Sequence, residues 1–338
     1  MKNKYRNIFL WFGIVAVIVM VLTMDISYED LLQNLSRAGY YLPLVLVLWF
    51  IVYAVNTLSW YVIVRSGGPM NGLSYAKMYK YTVSGFALNY VTPVGLMGGE
   101  PYRIMELTPY VGVERATSSV ILYVMMHISS HFLFWISAVL IYVIFYPVTV
   151  EMGILMGCIL VFCLAMAALF VKGYKHGMAV AFMHIGSRIP LVRNKVKHFT
   201  EKYASKLENI DSQISLLHKQ KKSTFYGALL SEYSARMISC VEIWLILNVL
   251  TTDVSFVNSI LIYAFSTLMA NLLFFMPMQL GGREGGFALA VDGLSMAGAY
   301  GVFAALITRI REMVWIVIGL AIMKIGNKKD SDDREKQG

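Results

Sequence analysis

YTVSGFALNYVTPVGLMGGE, residues 81–100, is the stretch on which the fold turns. Tyr81–Val91 is apolar enough to enter a membrane, but Thr92-Pro93-Val94-Gly95 and then Gly98-Gly99 follow at once. Proline removes a backbone donor and crowds the preceding turn, and glycine weakens a helix. In hydrocarbon each backbone polar group needs an internal partner, so such a break survives only inside protein or against a wet cavity. The stretch predicts a broken or re-entrant membrane element.

The flanking charge agrees. The loop before it carries Arg65, Lys77 and Lys80 with no acid, which marks the cytoplasmic side. Further on, residues 172–222 hold eleven Lys/Arg against Glu201, Glu208 and Asp211, a net charge of +8, and are cytoplasmic by the same rule. Tracing back, Met152–Val171 enters that segment from outside and Ala116–Tyr146 runs outward, so Glu114 and Arg115 lie inside. Residues 65–80 and 100–115 then share one side, and whatever lies between them must return to where it began.

Long uncharged runs surround this element: Ile8–Met24, Tyr41–Val64, Ala116–Tyr146 and Met152–Val171. Each reaches or approaches the ~20 residues a helix needs to cross the bilayer. Ile8–Met24 follows Lys2, Lys4 and Arg6 without a small-x-small cleavage site, and reads as a retained first helix with a cytoplasmic N-terminus. The loop after it, with Asp25, Glu29 and Asp30 against Arg37, suits the outside. Beyond the connector, Thr224–Leu250 runs outward, and the last span, about Val302–Met323, ends inside at Lys324, Lys328 and Lys329. Phe256–Ala299 must therefore start and finish outside, and its middle is Pro277-Met-Gln-Leu-Gly281-Gly282-Arg283-Glu284-Gly285-Gly286. Two interrupted segments of opposite orientation point to inverted repeats around a transport site. The expected fold is an all-α polytopic integral membrane protein with two inverted-topology halves, each with a re-entrant or broken-helix segment. Half one covers about 1–171, an amphipathic connector 172–222 and half two 223–325, with a disordered cytoplasmic tail at 326–338.

Composition supports a membrane class. Hydrophobic residues make up 58% of the chain and charged residues 14%, with mean hydropathy +0.62. A soluble domain has about 25% charged residues. The net charge of +9 reflects basic loops between spans and does not argue for nucleic acid. Cys158, Cys163 and Cys240 all sit in apolar runs as packing residues. In the connector, Val196, Phe199, Tyr203, Leu207, Ile210, Ile214 and Leu217 form one stripe, suited to packing under the bundle or lying on an anionic leaflet. No P-loop, His-Glu-x-x-His or Gly-x-Ser-x-Gly motif is present, so the sequence predicts neither an enzyme nor a bound cofactor or metal.

Ionisable groups at membrane depth are costly and mark functional sites or ion pairs. Glu100 and Arg103 follow the first break, and Arg283 and Glu284 sit among four glycines at the second. Amides at a broken helix end favour an anion, and Arg103 or Arg283 could grip a phosphate bidentately. The structural alternative is a helix-capping ion pair. Asn89, Arg236 and Arg309 complete the predicted substrate-binding set. Glu232 with Arg236, and Arg309 with Glu312, have the spacing of ion pairs on one helix face, and Glu242 and Arg311 are further intramembrane charges. His127 and His131 are four apart, like metal ligands, but no acid accompanies them on their helix, and hydrogen-bonded histidines are the simpler reading.

Asn89…Thr92-Pro93…Gly98-Gly99-Glu100…Arg103, followed by Pro277…Gly281-Gly282-Arg283-Glu284-Gly285-Gly286-Phe287, resembles the lysylphosphatidylglycerol synthase transmembrane region family, the flippase-like UPF0104 proteins. The resemblance covers about residues 5–325. It implies a lipid-handling domain, without the C-terminal aminoacyl-transferase domain of bifunctional members, and places Glu100, Arg103, Arg283 and Glu284 on a cavity. Many relatives carry a Glu-Arg pair in the next helix. Here that stretch is Val120–His127, which implies different headgroup chemistry. The expected function is a flippase that moves a phospholipid or lipid-linked headgroup between leaflets of a bacterial inner membrane. The alternatives are a non-catalytic lipid-binding accessory to an envelope-biosynthesis enzyme and a proton-coupled small-solute transporter. Membrane lipid is the expected partner, and an oligomer is compatible with the sequence.

Overall fold

The structure is a computed structural model that describes residues 36, 38–70, 72–91, 98–176, 212, 222–251, 254–272 and 282–323; of residues 169–176 and 282–284 it gives only the backbone. The expected first helix, the connector stripe, both proline-containing breaks and the tail lie outside the described residues. Every regular element among the described residues is a helix: α1 Tyr41–Ser66, α2 Tyr75–Val91, α3 Gly99–Val111, α4 Val113–Phe145, α5 Val150–His176, α6 Lys222–Leu247, α7 Phe256–Leu272, α8 Gly282–Asp292 and α9 Gly298–Ile322.

Three of these are long and apolar enough to cross a membrane: Tyr41–Ser66, Val113–Phe145 and the Val150–Ala168 part of α5. α7 is apolar but shorter. The spans end where the uncharged runs end, because a charge inside the span would lose its hydration. α5 is hardly buried, and its Val150, Ile154, Leu155, Val161, Phe162 and Leu164 are exposed. Bare apolar surface of that extent suits lipid as the surrounding medium. Past the exposed Lys222 that starts α6, α6 and α9 carry their charges on buried faces, with Glu232, Arg236, Glu242, Arg309, Arg311 and Glu312 all buried.

The described residues fall into two compact units, interleaved along the chain. The first unites the chain up to Tyr53, Ala76–Arg103 and everything from Ile238. Within it α2 and α3 form an antiparallel hairpin. Gly99 donates its N–H to Asn89 Oδ1 at 2.7 Å, Arg103 donates to the Thr82 carbonyl at 3.3 Å, and the Tyr81 and Tyr102 rings meet edge-on at 6.5 Å. Residue numbers rise along α3 as they fall along α2. The approach is close enough that a Cβ on Gly99 would overlap the Gly85 carbonyl, which only glycine avoids. α9 packs against α2, since Ser84 Oγ donates to the Gly319 carbonyl at 2.8 Å and a Cβ on Gly319 would lie 2.6 Å from Ala87 Cβ. α8 folds back on α7 at Gly286, and α9 folds back on α8 at Gly301, where a Cβ would lie 2.6 Å from the Phe287 carbonyl oxygen. Small residues at such contacts let helix backbones approach in lipid, where packing must supply the attraction.

The second unit unites Ala54–Tyr75 with Ile104–Met237. Arg115, near the start of α4, donates to the carbonyls of Val64, Gly68 and Pro69 at 2.6, 2.7 and 2.9 Å. The chain therefore leaves α1 and enters α4 at the same place. α4 meets α5 through Phe132 and Phe162 at 6.2 Å and α6 through Phe134 and Tyr233 at 6.3 Å. Ser59 Oγ donates to the Ala228 carbonyl at 3.1 Å and joins α1 to α6.

Candidate functional site

Three polar clusters stand out, two in the first unit and one in the second. At the α2–α3 hairpin, Asn89 sits in the last turn of α2 and bridges the break. Its Oδ1 caps the start of α3 through the Gly99 amide, and its Nδ2 donates to Glu100 Oε1 at 2.9 Å. Arg103 Nη1 donates to the same Glu100 oxygen at 3.3 Å. The Arg103 side chain is 1% exposed, crosses the space left by Gly85, and lays its guanidinium over the Phe86 ring at 4.7 Å. Glu100 is 17% exposed. Its Oε2 is buried and has no hydrogen-bond partner among the described residues. Arg103 thus braces the hairpin, while the carboxylate it holds has an oxygen to offer.

The second cluster is a closed chain of charge. Arg311 on α9 grips Glu242 on α6 with two bonds, Nε to Oε1 at 2.9 Å and Nη2 to Oε2 at 3.3 Å. Trp49 on α1 donates its indole N–H to Glu242 Oε2 at 2.7 Å, and its ring stacks under the Arg311 guanidinium at 3.7 Å. Glu312 lies between Arg311 and Arg309, 3.6 Å from each. Two acids and two bases cancel in a buried space, which is the arrangement that desolvated charges require. Arg309 therefore sits in an ion-pair chain.

The third cluster joins α4 and α6. His127 Nδ1 is 2.7 Å from Glu232 Oε2. Arg236 donates from Nε to Ser130 Oγ at 2.7 Å and from Nη2 to the His127 carbonyl at 2.6 Å. Tyr233 pairs its hydroxyl with Ser137 at 3.0 Å. The rings of His127 and His131 meet edge-on at 5.5 Å, and His131 lies 5.3 Å from Trp135.

The structure thus brings Asn89, Glu100 and Arg103 together. Arg236 and Arg309 belong to different clusters. Arg283 and Glu284 lie on α8, but their side chains are outside the described residues. The helical spacing that suggests a Glu232–Arg236 pair does not find His127 as the acid's partner, because that partner lies 105 residues away. Nor does it find Glu242 with Arg311, 69 residues apart. Trp49 is a hydrogen-bond donor to Glu242, a role that no charge or motif in the sequence singles out. No group of three or more metal-ligating side chains gathers among the described residues.

A family model described as the lysylphosphatidylglycerol synthase TM region matches residues 8–320. The chain is also 23% identical over 338 residues to a UPF0104 membrane protein of Methanothermobacter thermautotrophicus, with 96% of each chain covered. No solved structure matches.

Proposed function

We propose a function from one premise: the chain belongs to the lysylphosphatidylglycerol synthase TM region family. It is a membrane protein of that family, and our reading is that it moves a lipid headgroup between leaflets. The observation that carries this reading is the Glu100 carboxylate at the α2–α3 hairpin. A carboxylate with one buried, unbonded oxygen is expensive to keep unless something binds it. Glu100 would meet the amine of a zwitterionic or aminoacylated headgroup. Arg103 would hold that acid in place, and Arg283 on α8 would take the phosphate. Acyl tails would stay in lipid.

Two features support transport. The meeting of the end of α1 with the start of α4, where Arg115 holds the Val64, Gly68 and Pro69 carbonyls, supports a chain that leaves and returns on one side between them. α9 touches α2 at Gly319 and α8 at Gly301, so one helix links the two glycine-rich motifs. Inverted repeats with broken segments at the substrate site would use such a link to open the site to either face. On this reading the termini are cytoplasmic.

Mass spectrometry of lipid bound to the detergent-purified protein tests the proposal, with wild type beside Glu100→Gln and Arg103→Ala/Arg283→Ala. One amine-bearing lipid class, enriched on wild type and lost from both variants, is expected and names the lipid for transport assays in liposomes. Bulk membrane lipid in unchanged proportion on all three proteins would sink the headgroup site.

A further inference from the structure

We infer that His127 and Glu232 form a proton-binding site in the membrane, separate from the headgroup groups at the α2–α3 hairpin. The pair is built asymmetrically. Glu232 is 1% exposed and His127 is 31% exposed. One oxygen of Glu232 meets the imidazole at 2.7 Å, and the other, Oε1, is buried with no hydrogen-bond partner among the described residues. A carboxylate kept only for stability would have both oxygens bonded, as Glu242 has. Here a buried acid is bonded to a titratable ring that is itself part-exposed.

Position adds to this. His127 lies about 21 Å along α4 from Val113, at ~1.5 Å per residue, well inside a span. Histidine and acid pairs at that depth are the usual parts of proton relays. Two of the ionisable neighbours, Tyr233 and Arg236, hold fixed roles. On α4 the rings of Tyr123 and His131 lie 6.4 and 5.5 Å from the His127 ring, and on α6 Arg236 bonds the His127 carbonyl, with Tyr233 next in sequence to Glu232. Tyr233 is bonded to Ser137, and Arg236 reaches Ser130 and the His127 carbonyl. Arg236 offsets the Glu232 charge, so the cluster is near neutral with both rings uncharged and gains one positive charge per proton. His131 Nδ1 is buried without a partner, and offers a next station one helical turn along α4.

The step balances simply. In the neutral pair, Nδ1–H donates to the Glu232 carboxylate and the second ring nitrogen carries a lone pair. A proton from solution binds that lone pair and yields an imidazolium–carboxylate pair. The same proton released towards the other face restores the starting state. No electron moves and no co-reactant is consumed.

The role of this proton rests on the transport reading above, and coupling would mean that a proton gradient drives headgroup movement. Two measurements separate the claims. The first uses pH-difference infrared spectra of the purified full chain, which need no transport. Wild type is expected to show a titrating carboxylate–imidazole signal that is lost in both His127→Gln and Glu232→Gln. The absence of any titrating signal in wild type, or its persistence in both variants, would overturn the site. The second follows movement of the co-purified lipid in proteoliposomes with and without a pH gradient. Wild type is expected to respond to the gradient and His127→Gln to lose that response. A wild type indifferent to the gradient would overturn coupling. An intact infrared signal with no lipid movement would leave the proton site standing and bring down the transport reading instead.

Discussion

Glu232 and Glu242 lie on one helix, both buried, yet their surroundings could hardly differ more. Glu242 has both oxygens bonded, to Arg311 and to Trp49, with a guanidinium stacked on the same indole. Glu232 has one oxygen on a half-exposed histidine and one on nothing described. The first carboxylate is a joint between helices α1, α6 and α9. The second has an oxygen still without a partner among the described residues and is the acid of the proton site proposed above. Intramembrane charge is therefore no single signal: what separates a brace from a working group is how many of its bonds are already made.

Thermal unfolding of purified variants in detergent can break or sharpen that contrast. Glu242→Gln should cost most, about 3–5 kcal/mol, because it takes from Arg311 its two-bond partner and leaves Glu312 alone to offset two buried arginines. Substituting both partners with apolar residues should recover much of that loss, and failure to recover would show that the pair does more than neutralise itself. Trp49→Phe should come next, at about 1.5–3 kcal/mol, since it removes a bond to a charged acceptor while keeping a ring under Arg311. Gly85→Ala should cost about 1–3 kcal/mol by driving a methyl group into the Arg103 side chain, with the α2–α3 hairpin loosening. Glu232→Gln should cost least, near the ~0.6 kcal/mol average of a polar contact within a membrane. If Glu232→Gln proved as damaging as Glu242→Gln, the two carboxylates would be equals and the contrast would fail.

Much of the frame was legible from residues alone. The uncharged runs gave α1, α4 and α5 to within a few residues, because hydrocarbon tolerates no bare charge along a span. Of the stretches 65–80 and 100–115, expected to share a side, the structure sets Arg115 beside the carbonyls that end α1. Asn89, Glu100 and Arg103 could be grouped because the chain folds back locally, so short sequence distance becomes contact. The two deeper clusters were hidden for the opposite reason. Helical spacing tells which side chains share a face, but not which helix that face meets. Arg311 and Glu242, or His127 and Glu232, are joined only by the packing of distant helices.

α4 has one more implication. Its 33 residues make a rod about 50 Å long, and it carries no charged residue from Ala116 to its end. The hydrocarbon layer of an ordinary bilayer is about 30 Å thick. To fit by leaning alone, the rod would need a tilt of roughly 50°, beyond the usual 0–40°. The exposed Val143, Ile144 and Phe145 at its far end would otherwise stand among headgroups. Tilt together with a local thickening of the bilayer around this helix would absorb the mismatch, and acyl-chain length would then bear on the protein. Vesicles of long-chain lipid should hold it at ease, and short-chain vesicles should strain it.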